Sequence, residues 1–105
     1  MALIIKTIKK RSIFNLVREK GLFIKSESIN LQFLEDKELN KVILVGYTAT
    51  KKIGNAVKRN KAKRIMRELS KKVIGKYGKK SSYYVLIAKN SIFKKLGLQS
   101  LKEYL

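Results

Sequence analysis

Apolar residues in this chain change their spacing several times, and each change marks an element. Ile13, Leu16 and Val17 fall on one helical face with Phe14 beside them, and Ser12 can cap them, which predicts a helix over 12–20 stopped by Gly21. Between Ser28 and Glu35 the period drops to two. Ile29, Leu31 and Phe33 point one way and Asn30 and Gln32 the other, as in a half-buried strand. A polar turn over 35–40 follows, and then KVILVGYTAT, residues 41–50, reads as a more fully apolar strand in hairpin with the first. Gly46 within it marks a bend or a close backbone approach.

Helical spacing returns over 55–74, where Ala62, Ile65, Met66, Leu69 and Val73 form one stripe. On a 100° wheel that stripe lies opposite Asn60, Lys63, Arg67 and Lys71, with Arg59 and Arg64 at the edges. A basic turn over 75–82 leads to the strand YYVLIAK, 83–89. Asn90 or Ser91 can cap a last helix to about Leu105, with Phe93, Leu96, Leu101, Tyr104 and Leu105 as its core residues. The order is α-β-β-α-β-α, an α+β sandwich with a single mixed or antiparallel sheet. It has room for one more short strand, and the helices are expected mainly on one side. At 105 residues the chain is expected to be a single domain, with residues 1–9 a loosely held basic arm.

Charge changes this picture most. The net charge is +19, from 26 Lys+Arg against 7 Asp+Glu, while 45% hydrophobic content is ordinary for a folded protein. Such an excess opposes compaction unless a polyanion relieves it, and nucleic acid is the usual one. Of the 26 cations 21 are Lys and five are Arg, yet Arg59, Arg64 and Arg67 fall within nine residues. Guanidinium grips phosphate with a planar fork of donors, where Lys offers a point charge. Lys51–Lys80 holds 13 cations and one acid, Glu68, so the helix face lacks the mixed signs of an ordinary solvated face. Four of the seven acids, Glu27, Glu35, Asp36 and Glu38, gather near the turn after the first strand, an end expected to face away from nucleic acid.

Candidate chemistry is sparse. There is no Cys and no His, and the seven carboxylates do not pair as an acid/base or metal site. No catalytic residue and no metal site is therefore expected, nor a small-molecule substrate. Ala2–Ile8 is too short for a signal sequence or a membrane span, so a soluble, cytoplasmic protein without a membrane partner is expected. Gly54 supplies a loop conformation or lets a phosphate approach the helix start; with no second Gly and no Lys-Ser/Thr after it, the segment is not a P-loop. Tyr47, Tyr83, Tyr84, Phe14 and Phe33 are either core or base-stacking aromatics.

The run TKKIGNAVKRNKAKRIMRE, 50–68, closely resembles the signature of the protein component of bacterial ribonuclease P, roughly S-K-K-x-G-x-A-V-x-R-N-R-x-K-R-x-x-R-E. The matches are Lys51, Lys52, Gly54, Ala56, Val57, Arg59, Asn60, Lys63, Arg64, Arg67 and Glu68. IKKRSIFNLVREKG is similar to the family's first helix and YYVLIAK to its last strand. The resemblance implies a left-handed β-α-β crossover holding the basic helix, against the usual right-handed preference. It implies two partners: a catalytic RNA, which uses Mg2+ and leaves the protein without a tightly bound cofactor, and precursor tRNA, whose 5′ leader is removed. Carried over by position, Lys51, Lys52, Arg59, Asn60, Lys61, Lys63, Arg64, Arg67 and Lys71 would face the RNA subunit. Phe14, Arg18, Asn30, Gln32 and Thr48 would line a leader cleft between the first helix and the sheet. Lys61 departs from the second Arg of R-N-R, Arg18 from a usual aromatic or apolar residue, and Gln32 from a usual Tyr, which would turn the cleft toward polar and phosphate contacts. A structural RNA-binding protein of the ribosomal type is the alternative that composition alone supports.

Overall fold

The computed structural model describes residues 4–26 and 28–93. Its elements are β1 (Ile4–Thr7), α1 (Arg11–Lys20), β2 (Leu22–Ile24), β3 (Ile29–Glu35), β4 (Val42–Thr48), α2 (Ala56–Tyr77) and β5 (Ser82–Ala88). Short 3-10 turns occupy Lys37–Leu39, Lys51–Ile53 and Asn90–Phe93. The strands make one sheet in the order β1-β4-β5-β3-β2. β5 lies between β3 and β4, antiparallel to the first with Asn30 opposite Ile87, and parallel to the second with Thr48 opposite Ile87. The expected β3–β4 hairpin is therefore absent; the two strands are separated by β5, and α2 is the crossover between parallel neighbours.

Alternation along β5 divides the core. Tyr84, Leu86 and Ala88 join Ile43 and Val45 of β4 and Ala62, Met66, Leu69, Val73 and Ile74 of α2 in one buried cluster. Tyr83 and Val85 join Ile8 and Val17 in a second, with Ile13, Phe14 and Leu34 packed against it. Period-two side chains point to opposite faces, so α1 and α2 cover opposite faces of the sheet. The expectation of helices mainly on one side is corrected accordingly.

The N-terminal region also differs from expectation. Ile4–Thr7 pairs in parallel with Val42–Val45, and the Ile8 amide donates to the Val45 carbonyl at 2.9 Å. This part of the basic arm is thus an edge strand, although all four of its side chains are exposed, which hid it from a burial pattern. The helix begins at Arg11 with Lys10 at the cap position and no capping side chain, so Ser12 lies inside it. Its end is as expected, the Gly21 amide donating to the Val17 carbonyl at 2.8 Å. β2 was not foreseen, and the sheet gains two strands instead of one. Phe93, expected in the core, is exposed; the rest of the expected last helix, residues 94–105, lies outside the described residues.

Gly46 explains how α1 sits. A Cβ there would lie 2.5 Å from Cε1 and 2.7 Å from Cζ of Phe14. The ring therefore rests on bare backbone, the close approach that a mid-strand glycine suggests. Replacing Gly46→Ala should lower stability by about 1–3 kcal/mol through overpacking. A urea midpoint equal to wild type would contradict the ring-on-backbone contact.

Candidate nucleic-acid interface

α2 starts where two local devices meet. Gly54 has φ 137°, a region closed to most side chains, and it turns the chain out of the 3-10 turn. Asn55 then caps the helix, its side-chain oxygen accepting from the Lys58 amide at 3.0 Å. Ala62, Met66, Leu69, Ser70, Val73 and Ile74 are buried. The remaining surface carries nine cations and one acid. None of the nine makes an ion pair within the described residues, where the ion pair is Lys79–Glu35 at 3.1 Å, remote from the helix crest and exposed on both sides. Like charges recur at i,i+4 through Arg59, Lys63, Arg67 and Lys71, each pair costing a few tenths of a kcal/mol. The helix holds together through its buried stripe while its outer face stays unneutralised.

The expected RNA-facing residues divide into a crest and two flanks. Asn60, Arg64, Arg67 and Lys71 are exposed, and Arg59 and Lys63 are half-buried, so Arg64 takes the outer position expected for Lys63 and Lys63 the edge position expected for Arg64. On the flank toward β4, Arg67 lies over the Tyr47 ring at 5.7 Å, while the Tyr47 hydroxyl bonds the Ser70 hydroxyl at 2.6 Å. Ser70 in turn donates to the Arg67 carbonyl at 2.9 Å. Tyr47 is thus a tether between sheet and helix as well as a platform for one guanidinium. Lys61 belongs to the other flank, its ammonium 5.7 Å from the Phe93 ring, in a hollow shared with Lys52, Ile53, Lys58 and Asn90. Lys51 is exposed in the 3-10 turn before the helix.

The expected cleft residues are brought together in part. Phe14, Arg18 and Thr48 line one hollow with Lys9, Arg11, Asn15, Tyr47, Ala49 and Lys63. It opens where β1 stops at Thr7 and leaves the end of β4 uncovered. Asn15 holds Arg18 through a 3.0 Å bond from the guanidinium to its side-chain oxygen. Asn30 shares the sheet face but lines a different hollow, with Thr50, Lys52, Ile87, Lys89 and Asn90. Gln32 is only 9% exposed, a floor residue between β5 and β2 and not an open contact. Lys63 was expected on the helix surface alone; it is also a wall of the cleft, so the two cationic surfaces adjoin. The signal for the other lining residues was present in the Lys9–Arg11 run, read as an arm and not as a rim.

Three of the four acids expected together, Glu35, Asp36 and Glu38, lie away from these hollows, while Glu27 is outside the described residues. Glu35 is opposite Ser82 at the far end of β5, about 17 Å along β3 from Asn30. Asp36 caps the turn there, accepting from the Glu38 amide at 3.0 Å. That end of the sheet thus mixes three carboxylates with Lys37, Lys41, Lys79 and Lys80, whereas the hollows at the other end are lined by cations. No helix among the described residues is long and apolar enough to cross a membrane.

A mixed five-stranded sheet carrying an unneutralised cationic helix beside a basic cleft presents the kind of surface that attracts polyanions. The family model described as Ribonuclease P matches residues 5–104, and the chain belongs to that family. The ribonuclease P protein component of Caulobacter vibrioides is 37% identical over 82 residues, covering 78% of this chain and 54% of that protein. That of Nitratiruptor sp. is 34% identical over 65 residues, covering 62% and 56%. The chain thus spans about half the length of the curated relatives it matches. The Staphylococcus aureus RNase P protein superposes with TM-score 0.75 at 30% identity, over 92% of this chain and 89% of that one. The Thermotoga maritima RNase P protein, 23% identical with TM-score 0.73 over 92% and 88%, shares the fold.

The two asparagines of α2 should separate cleanly. Asn55→Ala is expected to cost about 1 kcal/mol of stability through loss of the cap. Asn60→Ala, exposed and mid-helix, should leave stability unchanged or raise it by a few tenths of a kcal/mol. Equal losses in thermal unfolding would contradict the assignment of one to the fold and the other to the surface.

Proposed function

We propose that this chain is the protein subunit of a ribonuclease P ribonucleoprotein, binding the catalytic RNA through the outer face of α2. In this reading Arg59, Asn60, Lys63, Arg64, Arg67 and Lys71 meet RNA phosphates, with Lys51, Lys52 and Lys61 extending the contact on the second flank. The hollow between α1 and the end of β4 holds the 5′ leader of precursor tRNA, Phe14 against a base and Arg18, Lys9, Arg11 and Lys63 against phosphates. The RNA cleaves the leader with magnesium, which it binds itself, and the protein's side chains supply affinity.

One observation carries this reading most directly: nine cations and one acid on a single helix, with no ion pair among the described residues to neutralise them. A folded protein tolerates such self-repulsion when a polyanion is bound at that face. Family membership supports the ribonuclease P RNA as that polyanion. The adjoining cleft, with two aromatics and four cations round the half-buried end of β4, suits a single strand whose bases and phosphates are both free.

The test is cleavage of precursor tRNA at low magnesium by the RNA subunit, with and without the full chain. Stimulation is expected; none, together with affinity for ribosomal RNA, would favour a structural RNA-binding role instead. Arg67→Ala should weaken RNA-subunit binding by about 1–3 kcal/mol, the scale of a charge-assisted bond. Lys37→Ala, at the far end of the sheet from both surfaces, should do much less. Equal losses would mean diffuse attraction and no defined face.

A further inference from the structure

Phe23 is an anomaly in this fold. It lies on β2, an edge strand of three residues, and is 50% exposed although it is among the largest apolar side chains present. Its register partner is Gln32 of β3. Directly opposed residues in an antiparallel pair project from the same face, so Phe23 stands on the face that α1 covers in part. Across that face one row runs Gly46, Val85, Gln32, Phe23, from β4 to β2. At the β4 end of the row Phe14 lies on Gly46.

The two aromatics therefore mark the ends of one row, three strand spacings or about 14 Å apart. α1 runs along it. Phe14 and Arg18 are an i,i+4 pair and project from the same side of the helix, and Arg18 is held by Asn15. At the C-terminal end of α1 the chain turns at Gly21 into β2, which proceeds toward the end of the sheet where Asn30 and Thr48 lie. Lys20 and Lys25, both exposed, bracket β2. The surroundings of the exposed ring are thus net basic, with Arg18, Lys20 and Lys25 against one described acid, Glu19. A second copy of this chain, carrying +19 itself, is poorly matched to that edge. A single strand of RNA is well matched, since it offers π-faces to the ring and phosphates to the cations.

We infer that Phe23 is a base-stacking residue for single-stranded RNA, extending the α1 cleft across the sheet to its β2 edge. This rests on the leader reading proposed above. It makes the bound segment longer than the hollow around Phe14 alone, with one base on Phe14, a second on Phe23 and the intervening backbone along Arg18.

The test uses holoenzyme reconstituted from the full chain and the RNA subunit, and measures equilibrium binding of precursor tRNA carrying leaders of one to about ten nucleotides, with mature tRNA alongside. Phe23→Ala and Phe23→Leu should weaken binding of the longer leaders by roughly tenfold, the scale of one lost stack. Phe23→Tyr should retain wild-type affinity, and neither the one-nucleotide leader nor mature tRNA should respond to any of the three. Wild-type binding by the Leu variant would overturn the inference, as would a loss that does not depend on leader length. So would a fall in the sedimentation mass of the free protein on Phe23→Ala, which would assign the edge to a second copy. Phe14→Ala in the same assay separates the two claims. If Phe14→Ala is leader-sensitive and Phe23→Ala is not, only the β2 extension fails; if neither is, the leader reading fails with it.

Discussion

The parallel pairing of β4 with β5 is the constraint from which the rest of this molecule follows. Two parallel neighbours cannot be joined by a tight turn, because the chain must travel back the length of the sheet before the second begins. Each strand has seven residues, about 23 Å, and the 22 residues of α2 give about 33 Å of helix to make the return. α2 must therefore start at the end of the sheet where β4 finishes and lie along one face. Its stripe from Ala62 to Ile74 is buried against β4 and β5, so its cations point outward. The basic helix is a structural necessity whose outer face is free to be a binding surface.

The same constraint sets the electrostatic layout. Lys63 in the first half of α2 reaches the hollow at the end of β4, where β1 has already stopped and Phe14 rests on Gly46. β5 then begins at the opposite end, beside Glu35 and the Asp36–Glu38 turn. One end of the sheet thus collects cations with aromatics, and the other mixes both signs, with Glu35 paired to Lys79. A polyanion drawn to the protein meets an oriented surface, and its register is further limited by Arg67 held over Tyr47. Two RNA elements can sit side by side there, since Lys63 belongs to both surfaces.

Legibility in the sequence followed burial. The start of α2 was readable because Gly54–Asn55 announces it and its apolar stripe and cations share the helical period, while its end at Tyr77 lies three residues beyond the expected Ile74. β3 was readable from its alternating apolar positions, and β4 and β5 from nearly continuous apolar runs, β5 being buried on both faces. β1 and β2 were not: Ile4 and Ile5 are exposed on an edge, and β2 has only Leu22, Phe23 and Ile24, too few for a period to register. The β3–β4 hairpin was misread because sequence neighbours usually pair, and nothing local to either strand says that β5 will intervene. For the same reason the assignment of both helices to one face failed. Phe14, Arg18 and Thr48 line one hollow, while Asn30 and Gln32 share the sheet face but not that hollow. Which residues share a cavity depends on where α1 crosses the sheet, and Gly46 sets that through a contact no periodicity records.

The central claim is that a defined face of α2, and not the overall charge, grips the RNA. The salt dependence of affinity for the RNA subunit tests it most directly, because each neutralised phosphate contributes its own released counterions. Removing Arg59, Arg64 or Arg67 one at a time should reduce the slope of log affinity against log salt by about one each, and removing Lys37 should leave it unchanged. A slope that falls equally for Lys37 and for the three arginines would contradict the account.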